Sequence, residues 1–149
     1  MRGMISCTEF IPAYSELFKY LEQKGGKEAV VAYWRHISSD GLNNLRDEAS
    51  ENGLRGCYRY WTHTLNEEAA DFVMELDEEK GVFSIEMLHC PSKGRLLEFE
   101  HMVPYYDYCG HCDILYREVL APLGLDFVID LSHCDEARCR CTVVRRTEQ

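Results

Sequence analysis

The chain predicts an α+β fold with an antiparallel sheet. Helical periodicity fills its first 65 residues, period-two alternation appears in two later stretches, and one further helical stripe separates those two. Residues 8–23 place Ile11, Tyr14, Leu17, Phe18 and Leu21 at helical spacing, with Pro12 tolerable in a first turn and Gly25-Gly26 as a stop. Residues 27–50 repeat the pattern through Val30, Val31, Trp34, Ile37, Leu42 and Leu45, interrupted near Asp40-Gly41. A third helix over 54–65 turns Cys57, Tyr58, Tyr60 and Trp61 toward the core. Ala70, Phe72, Met74 and Leu76 then alternate with Asp71, Glu75 and Asp77, the mark of a half-buried strand. After a turn at 77–81, Phe83, Ile85, Met87 and His89 continue the inward face of a second strand, which completes a hairpin.

Cys90-Pro91-Ser92 ends that hairpin, because proline cannot donate to a ladder and serine can cap the short helix that carries Arg95, Leu96 and Phe99. Pro104 opens a longer helix over 105–122, with Tyr105, Cys109, Cys112, Leu115, Tyr116, Val119 and Leu120 on one stripe and Gly124 as its close. The last hairpin alternates Leu125, Phe127, Ile129 and Leu131 with Asp126 and Asp130, and returns through Cys139, Cys141 and Val143. Its expected register sets Leu131 opposite Cys139, Ile129 opposite Cys141 and Phe127 opposite Val143, with Asp130 facing Arg140. The 149 residues read as one domain, a helical part over 1–65 and a hairpin–helix–hairpin part over 66–149, with no linker.

A formal charge of −10 repels phosphate backbones, and Arg138, Arg140, Arg145 and Arg146 are too sparse for a continuous footprint, so no nucleic-acid partner is expected. No apolar run approaches the ~18 residues of a membrane span. The first nine residues lack an apolar h-region, which points to a cytoplasmic protein whose thiols stay reduced.

Five of the eight cysteines lie within 105–141. Residues three apart share a helix face and residues two apart share a strand face, so Cys109 and Cys112 form one pair of sulfurs and Cys139 and Cys141 another. If the helix crosses the last hairpin, the four converge in a set suited to zinc or an iron–sulfur cluster. The first pair also has the spacing of a thiol redox site, although the βαβ pattern that surrounds such sites is absent. All four are equally compatible with small buried residues. Cys112 is also a candidate nucleophile, but adjacent helical residues diverge by about 100°, so His111 is not expected to share its pocket and His63, His89 or His101 would be better partners. Tyr105, Tyr106 and Tyr108, like Tyr58, Tyr60 and Trp61, suit either a planar small-molecule ligand or ordinary helix packing. Arg95 is placed to clamp a carboxylate.

The hairpin ending in Cys90-Pro91, the Tyr-Cys-x-His-Cys-Asp run at 108–113, the helix close at Gly124 and the strand cysteine Cys139 together resemble the L-2-amino-thiazoline-4-carboxylic acid hydrolase-like family over residues 55–146. The resemblance implies hydrolytic opening of a thiazoline ring to an N-carbamoyl cysteine. By position, Cys112 with Asp113 is similar to the family's helix cysteine and acidic residue, and Cys139 to its strand cysteine; for ring opening the candidates are Cys112 for attack on C2, Asp113 as proton donor and Arg95 for the carboxylate, with Tyr105, Tyr108 and His111 as candidate substrate-lining residues. Family members often carry an aromatic residue two positions after that strand cysteine. This chain has Cys141 there, a departure that favours a metal or thiol site.

Overall fold

The computed structural model describes residues 9–68 and 70–147. The opening segment that bears on the cytoplasmic reading, and Thr8 at the expected start of the first helix, lie outside the described residues up to Glu9. Helix α1 (Phe10–Gly41) joins the first expected helix to the first part of the second, and α2 (Asn43–Glu67) joins the rest of the second to the third, the division falling where Asp40-Gly41 was expected to interrupt it. The expected stop at Gly25-Gly26 is a break within α1, and a second break interrupts α2 at Gly53. Gly26 (φ 75°) and Gly53 (φ 57°) both lie in the left-handed region, which lets each helix change direction. Leu42 is the non-helical joint between α1 and α2.

Strands β1 (Asp71–Asp77), β2 (Val82–His89), β3 (Leu125–Asp130) and β4 (Cys139–Arg145) form one antiparallel sheet in the order β1-β2-β4-β3. The two hairpins are thus joined by their return strands. The α+β reading holds. In the last hairpin Ile129 pairs with Cys141 and Phe127 with Val143, as the alternation requires. Leu131 falls outside the ladder because the Ser132 amide donates to Asp130 Oδ1 (2.9 Å) and turns the chain. Asp130 and Arg140 are cross-strand neighbours, but Arg140 pairs with Glu86 on the other side (3.2 Å).

Between the hairpins run the short helix α3 (Pro91–Leu97) and α4 (Gly110–Leu120). The helix expected over 105–122 therefore starts five residues late. The Tyr105 amide donates to Ser15 Oγ of α1 (2.9 Å), and residues 105–109 form successive tight turns instead. Helix α4 lies between two cores. Val119 and Leu120 join Trp61, Phe83, Ile85, Phe127 and Val143 against the sheet, while Leu115 joins Phe18, Trp34, Tyr105 and Tyr108 against α1. The Ser38 hydroxyl of α1 donates to the Leu115 carbonyl (2.6 Å) across this second contact. Among the described residues no helix is long and apolar enough to cross a membrane.

Candidate functional site

Four chain segments meet where β2 ends, β4 begins and α4 starts. Cys90 leaves β2 and donates its amide to the Ala137 carbonyl (2.7 Å), which ties the first hairpin to the loop before β4. The Cys90 sulfur turns back to accept the Lys93 amide (3.4 Å) at the start of α3. Cys109 is the residue before α4, so Cys112 falls in that helix's first turn. Cys139 and Cys141 occupy alternate positions of β4 and pack against the sheet-side core. Cys134 comes from the 3-10 turn that precedes β4. All seven described cysteines are free thiols.

These thiols act on one another electrostatically. Burial pushes the Cys112 thiol well above its ordinary value, and the neighbouring Cys90, Cys109 and Cys139 push it further. Cys109 is pushed up to about 12, again chiefly by burial, with the Lys93 ammonium pulling it back and Cys134, Cys90 and Cys139 adding to the rise. Burial also raises Cys90. Cys139 is the exception. The adjacent Cys141 thiol holds Cys139 below the ordinary thiol range, while Cys141 itself is held well above it by Cys139 and by burial. The carboxyl of Glu68, at the end of α2 on the rim of this group, is raised by its partial burial and reaches Cys90 and Cys112.

The four sulfurs singled out by spacing, Cys109, Cys112, Cys139 and Cys141, do share one electrostatic neighbourhood. Among the described residues, however, no three His, Cys, Asp or Glu side chains stand ready to hold a metal ion.

The residues expected to assist Cys112 are arranged differently. Asp113 is engaged by Arg117 one turn along α4 (Nε to Oδ1 3.1 Å), and Arg95 pairs with Glu98 (2.9 Å) with its guanidinium over the Phe99 ring. Tyr105 is directed toward α1, where its hydroxyl donates to Glu22 (3.0 Å). Tyr108 does reach the thiols, and its hydroxyl meets Ser92 Oγ at 2.6 Å. His63, His89 and His101 are exposed.

His111 corrects the helical-divergence argument, because its Nε2 lies 3.6 Å from Cys112 Sγ. Its position in the first turn of α4 allows the ring to fold back. There Nδ1 hydrogen-bonds the Tyr108 carbonyl, which can only accept, so Nδ1 carries the proton and Nε2 faces the Cys112 thiol as acceptor. Burial lowers the His111 pKa to about 4. With the unfolded value near 6.5, the unfolded chain takes up this proton first as pH falls. Stability of the metal-free protein is therefore full above about pH 6.5 and is lost as pH drops toward 4, by about 2–3 kcal/mol. Urea titrations from pH 7 to 4 should show that decline, and His111→Gln should flatten it.

Sequence reasoning counted Cys134 in the cysteine-rich stretch without giving it a role, and missed Glu68 and Lys93 as members of this group. Cys90 and Ser92 were visible only as the end of a hairpin and a cap. Lys93 is 6% exposed although it carries an ammonium group. No family model matches the chain, and the comparisons with curated proteins and with solved structures found no match.

Proposed function

We propose that this protein binds a soft metal ion, zinc or copper(I) in class, through clustered thiols, with Cys139 and Cys141 as the primary pair and Cys109 and Cys112 facing them from α4. The observation that carries this reading is the placing of Cys139 and Cys141 at alternate positions of β4, both packed against the sheet-side core, in one electrostatic neighbourhood with Cys90, Cys109 and Cys112. Sulfur donors select soft ions over magnesium or calcium. A reducing cytoplasmic setting would keep those donors available.

Because most of these thiols are held high, binding must displace protons, and affinity should rise with pH. Elemental analysis of protein purified without added metal is expected to find about one equivalent of a soft metal, the occupancy of a single site. Cys139→Ser with Cys141→Ser should lose that metal with little change in the melting temperature of the metal-free protein. An unchanged metal content in the double variant would sink the proposal. A wild-type protein that holds no metal, together with a lowered melting temperature in the double variant, would assign the pair to packing.

A second reading, hydrolytic ring opening of a 2-amino-thiazoline-4-carboxylate, draws on Cys139, the one thiol of the cluster held below its ordinary value and hence the best thiolate nucleophile. In that reading Cys139 takes the place assigned by resemblance to Cys112. Release of N-carbamoyl cysteine by metal-free wild-type protein, and its loss in Cys139→Ser, would favour this reading over the first.

A further inference from the structure

Lys27, the first residue after the Gly25-Gly26 break in α1, carries its ammonium into a cage of three aromatic rings. Its Nζ lies 5.1 Å from the ring centre of Trp34, 5.1 Å from that of Tyr105 and 4.9 Å from that of Tyr106. It also donates to the Tyr105 hydroxyl (3.3 Å) and pairs with Asp107. Aromatic faces grouped around one ammonium are the arrangement that recognises alkylammonium ligands. A groove of about 400 Å³, lined by Val103, Pro104, Glu22 and Lys19 among others, opens onto two of the same rings, Tyr105 and Tyr106. On its wall the half-buried Glu22 carboxylate accepts from both tyrosine hydroxyls (3.0 and 2.6 Å) but forms no ion pair among the described residues, and Lys19 is held by Glu16 (2.8 Å). Two carboxylates, Glu22 and Asp107, therefore border a cage that holds one ammonium. The Lys27 side chain is 35% exposed, so it can leave for solvent.

We infer that this cage is a recognition site for a trimethylammonium group, of the choline or methylated-lysine kind, and that Lys27 is its internal competitor. The ligand's cation takes the place of the Lys27 ammonium between the rings, the rest of the ligand lies in the groove, and Lys27 turns outward. A trimethylammonium has no N–H to give Tyr105 or Asp107, so ring faces and the two carboxylates hold it by charge and fit. No thiol takes part.

The test is calorimetric titration of the full-length protein with tetramethylammonium, with choline, with the uncharged carbon analogue of choline, and with a short peptide carrying trimethyllysine. Wild type should bind the cations and not the uncharged analogue. Lys27→Ala should bind them at least about 10-fold tighter, because an internal occupant lowers apparent affinity by the fraction of time that the cage stands open. Adding Tyr106→Ala, at a side chain 73% exposed, should keep the fold and weaken binding by about 2- to 5-fold, the loss of one exposed cation–π contact. A peptide that outbinds choline identifies a partner protein as the source of the cation, and the reverse order a free small molecule; either supports the site. No binding by wild type, no preference for the cation over its analogue, or equal affinity in wild type and Lys27→Ala would overturn it. If Lys27→Ala does not fold, recovery of its fold with tetramethylammonium but not with the analogue supports the site, and failure to recover overturns it.

Discussion

Alanine at position 56 is expected to cost at least about 3 kcal/mol, the upper range for forcing a methyl group into filled space, and to leave much of the chain unfolded at 37 °C. Gly56 lies just past the break at Gly53, where the second limb of α2 crosses back over the first. A Cβ there would run into the carbonyl of Glu48 and come within 2.9 Å of the Ala49 nitrogen. These obstacles are backbone atoms, so no side-chain rotation relieves them. Either the two limbs separate, uncovering Leu54 and Cys57, or the helix loses its hydrogen bonds at the crossing. Chemical denaturation of Gly56→Ala should show a lower midpoint or no cooperative transition. Substitution at Gly53, which has nothing within 4 Å, should cost only the backbone strain of its positive φ.

Trp61→Ala should be nearly as damaging, by about 3–5 kcal/mol. Its ring stacks between Phe83 of β2 and Phe127 of β3, at 6.0 and 6.3 Å between centroids and interplanar angles of 25° and 19°, and meets Tyr116 of α4 edge-on at 5.1 Å. One side chain of α2 therefore touches both hairpins and the helix between them. Its removal leaves a cavity that three rigid elements cannot close together. Thermal unfolding should separate it from Trp34, whose buried indole N–H lacks a hydrogen-bond partner among the described residues, so that Trp34→Phe removes an unsatisfied donor and costs less.

The elements were legible wherever one periodicity ran uninterrupted. The pairing of Phe127 with Val143 and of Ile129 with Cys141 follows from alternation alone, since a one-residue slip would turn both core residues to solvent. The start of α4 was not legible, because what delays it is a serine of α1, ninety residues away, that takes the Tyr105 amide. The grouping of Cys109 with Cys139 could be suspected from spacing. The arrival of Cys90 and Lys93 could not, because it depends on how the end of β2 meets the loop before β4. Two placements were readable and passed over. Asp113 with Arg117, and Arg95 with Glu98, stand at helical ion-pair spacings, and such local partners compete with any role at a distant site.

The strand order has a consequence during synthesis. β4 sits in the interior of the sheet but leaves the ribosome after the other three strands, at about 5–20 residues per second. Until it arrives, β2 presents an open edge whose inward side chains Phe83, Ile85 and Met87 can recruit another chain, and β3 has no neighbour at all. The nascent protein therefore passes through an interval, lasting seconds, in which pairing between molecules competes with pairing within one. A cell that makes this protein quickly or at high concentration should accumulate aggregates seeded by β2, and slower translation through the segment between β3 and β4 would lengthen that exposure rather than relieve it.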